Sequence, residues 1–265
     1  MNRRISYICL SFLFTISSLS VQLHGQISFN NLFEYQLGNI PDQTPKDLST
    51  HYNQMNLGYR QKHLRLSARI EGFYSPVQER NYLELSQYNA TYKNKRFTFE
   101  AGHFYDMLGN GLLYRSYEIP AAIFEDQAYR VKHGFYQDTR GVNIGYRNRY
   151  FYVKLLRGKT LVNQLPPTIN DDNRRLDLTE GGELGVQLAG QTVGFVFMSN
   201  QQPQQGRSNF YALLAKGYLP IDISYNIEYA QQIENGEFFN TNDANDAYAF
   251  YGSFNYVRNS FGASF

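Results

Sequence analysis

Apolar and polar residues alternate along most of this chain, which is the pattern of β-strands that have one apolar and one polar face. The clearest example is the segment 64–72, with the sequence LRLSARIEG. About twelve such segments occur between residues 26 and 257, each about nine to eleven residues long. No comparable helical period interrupts them, so the pattern predicts an all-β fold.

The connections between these segments alternate in length. Tight turns are predicted near 60–63, 93–96, 147–149, 190–191 and 218–220, and long polar loops near 39–50, 75–81, 104–139, 159–182, 200–208 and 231–245. Transmembrane β-barrels have short turns at their periplasmic end and longer loops at their outer end. A tilted strand of nine to eleven residues also spans a bilayer, where backbone groups must pair internally. The sequence therefore predicts an antiparallel up-and-down transmembrane β-barrel.

The last ten residues, 256–265, have the pattern of one more tight turn and the start of a thirteenth strand near Phe261. Because bacterial single-chain barrels have an even number of strands, this favours an incomplete barrel, the N-terminal part of a longer one. The alternative interpretation is that Phe265 is the terminal aromatic residue of a barrel-assembly signal. In that case twelve strands would close on their own.

Residues 1–25 have the features of a secretory signal peptide. Arg3 and Arg4 precede a short apolar stretch, and Gly25 is a small residue before the expected cleavage point. The barrel domain is then expected to comprise residues 26–265, in the outer membrane of a Gram-negative bacterium and in contact with its lipid. Cleavage would remove Cys9, so disulfides and thiolate metal sites are not expected.

Charge and composition exclude one class of partner. The chain has 25 Lys and Arg residues and 23 Asp and Glu residues, so the loss of Arg3 and Arg4 leaves equal numbers of both signs. A neutral protein of this kind is not expected to bind nucleic acid.

One segment, 97–129, departs from the simple alternation by mixing glycine, aromatic and charged residues at high density. Gly109 and Gly111 would permit positive φ or close backbone approach. We expect this segment to fold into the barrel interior as a constriction or plug; a bend in the barrel wall that binds no ligand is the alternative. The candidate residues of this motif are Gly102, Tyr105, Asp106, Gly109, Gly111, Arg115, Tyr117 and Glu118.

The run 102–118, with the sequence GHFYDMLGNGLLYRSYE, resembles a motif of an uncharacterised outer-membrane β-barrel family of Bacteroidota. Ten positions match it: Gly102, Phe104, Tyr105, Gly109, Gly111, Leu112, Leu113, Arg115, Tyr117 and Glu118. The resemblance implies a fold and a location but no activity, because the family has none established. Its members are longer than this chain, which agrees with a truncated barrel. They also return in a strand soon after the motif, whereas here the charged stretch 119–138 follows.

If the apolar side chains of the strands face lipid, the alternate positions face the interior. This predicts eight interior charged residues: Arg65, Arg69, Glu71, Glu100, Lys154, Glu183, Asp222 and Glu228. Both signs are present, so the sequence does not indicate strong selectivity for anions or cations. The same charges would equally suit pairing with each other in a plugged interior. Arg115 could pair with Glu118, Asp106 or an interior carboxylate.

The sequence favours a transport role over catalysis. His103 and Asp106 lie three residues apart, but no nucleophile or serine motif accompanies them, so no enzymatic activity is expected. No metal site and no cofactor are predicted. A porin-like barrel that passes small solutes is the first hypothesis. The second is a structural barrel that binds a protein partner in an envelope or secretion assembly.

Overall fold

The computed structural model describes residues 25–126, 130–162, 174–203, 206–220, 222–233, 247–258 and 261–264. The predicted signal peptide lies outside this part of the chain, apart from Gly25. The strands in chain order are β1 Gln26–Gln36, β2 Thr50–Gln61, β3 Leu64–Tyr74, β4 Tyr82–Lys93, β5 Phe97–Phe104, β6 Met107–Leu108, β7 Tyr114–Arg115, β8 Tyr117–Asp126, β9 Val131–Gln137, β10 Thr139–Arg147, β11 Phe151–Thr160, β12 Leu178–Leu188, β13 Gln191–Gln202, β14 Gly206–Leu219, β15 Ile223–Ile233, β16 Tyr248–Arg258 and β17 Phe261–Ser264.

Thirteen of these strands form one antiparallel sheet in the order β1–β5 followed by β10–β17. Neighbours in the chain are neighbours in the sheet, except that β5 pairs with β10 across the intervening segment. The twelve long strands and a short thirteenth strand at Phe261 confirm the prediction from the alternating pattern. Within the described ranges β1 and β17 are the edge strands and do not pair with each other, so the predicted closure is not seen.

The tight turns use a common local chemistry. The Asn94 side chain accepts hydrogen bonds from the backbone amides of Arg96 and Phe97, at 2.9 and 2.8 Å. Asn148 does the same in the next turn at this end of the sheet. Between β12 and β13, Ala189 and Gly190 have φ of 49° and 79°. Two consecutive positive φ values are typical of the two-residue turns that match the twist of a hairpin.

One predicted loop is wrong. The segment 200–208 is strand for most of its length, because β13 continues to Gln202 and β14 begins at Gly206. Gln201 pairs with Arg207 in the ladder. Polar side chains replace the apolar ones at this end of the hairpin, while the backbone pairing continues.

The two faces of the sheet differ in chemistry. On β13, Val193, Phe195 and Phe197 are 63%, 40% and 40% exposed, whereas Thr192 and Val196 on the opposite face are buried. The same alternation leaves apolar side chains exposed along one face of most of the other strands. No helix among the described residues is long and apolar enough to cross a membrane.

The opposite face is covered by the segment between β5 and β10, residues 105–138, here called the insert. It contains two small hairpins, β6–β7 and β8–β9. The second hairpin supplies the return strand that the charged stretch 119–138 did not predict. Each hairpin buries an apolar anchor against the sheet: Leu108 in one cluster and Val131 in another. The interior of the fold is therefore the contact between the insert and the polar face.

Candidate functional site: the insert and the polar face it covers

The tip of the β6–β7 hairpin contacts two carboxylates of the sheet. The backbone amide of Gly109 donates to Glu183 Oε2 at 3.0 Å, and that of Asn110 donates to Glu228 Oε2 at 2.5 Å. Gly109 has a φ of 59°, and a Cβ there would lie 2.7 Å from Glu228 Oε1. The glycine is therefore required twice, for its left-handed backbone and for the close approach of the carboxylate.

Further hydrogen bonds hold Glu183 and the tip residue Asn110 in position. Tyr152 donates its hydroxyl to Glu183 at 2.6 Å. Asn226, two residues before Glu228, donates its side-chain amide to the side chain of Asn110 at 2.8 Å. Hydrogen bonds to a charged partner are about twice as strong as neutral ones. The bonds to the two carboxylates therefore hold the hairpin tip firmly against the sheet.

Leu108 adds an apolar anchor to these polar contacts. Its side chain is fully buried in a cluster that includes Leu156, Val196 and Leu214, which come from three different strands. Burying a leucine side chain stabilises the contact by about 1.5–3 kcal/mol. The hairpin is thus held both by charge and by packing.

Asp106, at the start of the insert, joins it to the neighbouring strands. Its carboxylate accepts from Lys154 Nζ at 2.6 Å and from Asn143 Nδ2 at 2.7 Å. The same amide nitrogen lies 2.8 Å from Glu100 Oε2. Asn143 therefore bridges two carboxylates that would otherwise repel each other.

The β8–β9 hairpin covers a third carboxylate, Glu71, which is 1% exposed. Glu71 accepts from the backbone amide of Gly134 at 2.7 Å and from the Tyr82 hydroxyl at 3.1 Å. Lys132 of the same hairpin is buried and forms ion pairs with Glu34 and Glu125. Burying a charge is costly unless partners compensate it, which here are the ion pairs of Lys132 and the hydrogen bonds of Glu71.

Further ion pairs join the insert to the sheet and to the loop beyond β11. Arg69 Nη2 contacts Glu118 at 2.6 Å, and its Nε donates to Asn56. Asp138, which is fully buried at the end of the insert, pairs with Arg175.

Two tyrosines of the insert, the half-buried Tyr105 and the buried Tyr114, have raised pKa values. Burial raises the pKa of Tyr105, and the nearby carboxylates of Glu118 and Asp138 raise it further. Burial also raises the pKa of Tyr114. Gln87 donates to the Tyr105 hydroxyl at 2.5 Å. These hydroxyls act as hydrogen-bonding groups within the site.

The structure brings most of the predicted charged residues together. Six of the eight predicted interior residues contact the insert or its bridging side chains: Arg69, Glu71, Glu100, Lys154, Glu183 and Glu228. Arg65 is exposed and lines a cavity beside the insert. The prediction of an interior strand position is wrong for Asp222, because this residue lies in the turn before β15, at a φ of 58°.

The motif residues divide into contacts and exposed positions. Gly102, at a φ of 102°, lies so close to β4 that a Cβ would be 2.3 Å from the Tyr88 carbonyl oxygen. Gly111 also has positive φ, at 90°. Arg115 is exposed and pairs with neither Glu118 nor Asp106, which bind Arg69 and Lys154 instead. Tyr117 is exposed, with its ring centroid 6.2 Å from that of Phe135.

Several residues of the site were not predicted. Asn143, Tyr152, Gln87, Tyr82 and Lys132 all contact the insert network or belong to it. Asn143 and Tyr152 could have been found by counting alternate positions on β10 and β11, since neutral polar side chains share the inner face with the charged ones. Lys132 lies in the insert, where no such period applies.

Two adjacent cavities remain between the insert and strands β2–β5, β10 and β11. One has a volume of about 280 Å³ and the other about 510 Å³. Arg65, Thr91, Glu100 and Tyr105 line both. The larger cavity lies at the end of the sheet that carries the tight turns, because Lys95 and Arg147 also line it.

These features define a class of protein: an antiparallel up-and-down β-sheet with an apolar outer face, whose polar face holds an inserted segment. The chain belongs to a family of unknown function, DUF6029, whose model matches residues 1–265. The match covers the whole chain, whereas the motif resemblance rests on the run 102–118. A search of curated protein sequences found no match.

Solved structures with a similar strand arrangement include three outer-membrane proteins. OmpF of Salmonella typhi, in a complex with daunomycin, aligns with a TM-score of 0.38 at 12% identity, over 89% of this chain and 85% of that one. OmpT of Vibrio cholerae gives 0.35 at 12%, over 91% and 88%. OccK2 of Pseudomonas aeruginosa, in complex with glucuronate, gives 0.32 at 10%, over 88% and 75%. These TM-scores are below 0.5, so the function proposed below rests on the chain's own contacts.

Proposed function

We propose that this chain forms a β-barrel of the Gram-negative outer membrane that passes small solutes, with the insert as a fixed constriction. The observation that carries the proposal is the opposite chemistry of the two faces. Apolar side chains are exposed on one face, and a folded segment is bound by ion pairs on the other.

The outer face supports a lipid environment. Phe195, Leu213 and Phe250 are each at least 40% exposed on this face, as are many other large apolar side chains of the sheet. Soluble monomers rarely expose continuous apolar patches larger than a few hundred Å². Lipid would cover this surface, and the residues of the predicted signal peptide would direct export.

The inner face supports passage of solutes around the insert. The insert fills part of the interior, yet the two adjacent cavities beside it have polar and charged groups in their linings. Such a lining keeps water and small polar solutes in contact with hydrogen-bonding partners. Because the insert is anchored at Gly109, Asp106 and Glu118, the width of the passage would be set by a rigid segment.

A catalytic role is not part of this proposal. His103 Nδ1 lies 3.0 Å from the Tyr88 amide nitrogen and 3.1 Å from its carbonyl oxygen. The Asp106 carboxylate is bound by Lys154 and Asn143. Each member of the candidate acid–base pair thus has other partners.

The proposal can be tested with the full chain, refolded in detergent and incorporated into planar bilayers. We expect a folded species whose mobility on a denaturing gel changes after boiling, and stepwise ion conductance. A folded species that never conducts would refute the transport role and favour the partner-binding barrel. Affinity capture of an envelope protein would then test that second role.

A further inference from the structure

We infer that the entrance at the tight-turn end selects small anionic solutes over cationic ones. This inference rests on the proposed function, since it names the solute class that the passage would admit. The entrance is the 510 Å³ cavity, which shares four lining residues with the smaller one.

The lining charges are not balanced. Six cationic side chains line the two cavities: Arg65, Arg69, Lys93, Lys95, Arg147 and Lys154. Only three carboxylates do so: Glu100, Asp106 and Glu118. The sequence contains both signs on the inner face, but the insert covers Glu71, Glu183 and Glu228 with hydrogen-bond donors and removes them from the cavity surface.

Pairing keeps the excess of three positive charges and leaves it on side chains that are not neutralised by a partner. Arg69 is bound to Glu118 and Lys154 to Asp106, so these pairs contribute little net charge. Four cations remain, and they oppose the single carboxylate of Glu100. Among the described residues, none of the four forms an ion pair: Arg65, Lys93, Lys95 and Arg147.

These four cations occupy one end of the fold. Lys93 and Lys95 flank Asn94 in the turn between β4 and β5, and Arg147 ends β10 beside that turn. The Arg147 guanidinium carbon lies 5.0 Å from the centre of the Tyr152 ring, which holds it over an aromatic face. A cleft lined by one sign of charge concentrates the opposite ion and increases its rate of entry. The entrance is therefore a filter that favours anions.

The test compares two double variants of the full chain by reversal potential in a potassium chloride gradient across planar bilayers. Lys95→Gln with Arg147→Gln removes two charges from the cavity. Lys62→Gln with Arg149→Gln is the matched control, because it removes one lysine and one arginine from tight turns at the same end but outside both cavities. The more dilute compartment is kept near 0.1 M, since the Debye length is then about 10 Å.

We expect the unmodified chain and the control to prefer chloride over potassium. We expect the chloride-to-potassium permeability ratio of the cavity variant to fall about fivefold. This is the effect of removing two unit charges about 8 Å from the ion path in water at this salt concentration, because each charge acts on chloride and potassium in opposite directions. Equal ratios in the two variants, or a preference for potassium in the unmodified chain, would overturn the inference while leaving a conducting barrel. An absence of conductance in all three would instead overturn the proposed function itself.

Discussion

The glycine at the tip of the insert allows a quantitative test of how the insert is held. Gly109→Ala changes two things: it places a Cβ at a φ of 59°, and it brings that atom to 2.7 Å from Glu228 Oε1. The left-handed backbone costs an L-residue about 1–2 kcal/mol. Displacing the Glu228 carboxylate from the Asn110 amide costs about 1.5–3 kcal/mol more, as expected for a hydrogen bond to a charged group.

Gly111→Ala is the matched control, because Gly111 lies in the same insert. It has a φ of 90°, so it carries a similar backbone cost, but the atoms nearest to a Cβ there belong to the Arg115 side chain, at 3.3 Å or more, and not to Glu228. The difference between the two variants therefore isolates the contact between the insert and Glu228. We expect that difference to be about 1.5–3 kcal/mol in the free energy of opening of the insert.

Limited proteolysis measures this opening directly, because the exposed Arg115 offers trypsin a cleavage site within the insert. When opening and closing are fast, cleavage follows the population of the open form. The expected free energy corresponds to cleavage after Arg115 about 10 to 150 times faster in Gly109→Ala than in Gly111→Ala, at tenfold per 1.4 kcal/mol. Rates within twofold of each other, with both variants folded, would refute the reasoning.

Two further predictions concern the outer face and the ion pairs. Phe195→Arg at the middle of β13 should lower the free energy of unfolding in phospholipid vesicles by about 2–4 kcal/mol, whereas Leu188→Arg near a tight turn should lower it by about 0–1 kcal/mol. The two differ because the cost of a charge depends on its depth in lipid. Urea unfolding measures both, and equal costs would argue against a lipid-facing surface. Arg69→Gln and Glu118→Gln, alone and together, should show a coupling free energy of about 0.5–3 kcal/mol, because the two side chains are in contact. Strictly additive effects in this double-mutant cycle would show that the 2.6 Å contact contributes nothing to stability.

The strands were predictable because their chemistry is local. Each strand such as Leu64–Tyr74 repeats its alternation within a few residues, and turn signals bound it on both sides. The prediction for 200–208 failed for a physical reason. Beyond the apolar band, side chains on both faces are polar, so the alternation ends at Met198 although the ladder continues to Gln202. Asp222 has the inner-face parity of β15 but precedes its first residue.

The insert was only partly predictable. Its glycines and mixed composition marked it as irregular, and the alternation placed Glu183 and Glu228 on the inner face. Nothing local connects these carboxylates to Gly109 and Asn110, because the contacts span 74 and 118 residues. The pairing of Arg69 with Glu118, rather than of Arg115 with Glu118, is likewise decided by which strand lies beneath the hairpin.

The same long separations set an order of assembly. The carboxylates that bind the tip of the insert lie on β12 and β15, so the tip has no carboxylate to bind until both of those strands have joined the sheet. Loop-closure entropy must be overcome before such distant contacts become favourable, which delays them relative to neighbouring hairpins. Docking of the tip is therefore a late folding event. It requires that the strands from β5 to β15 are already paired in the correct register.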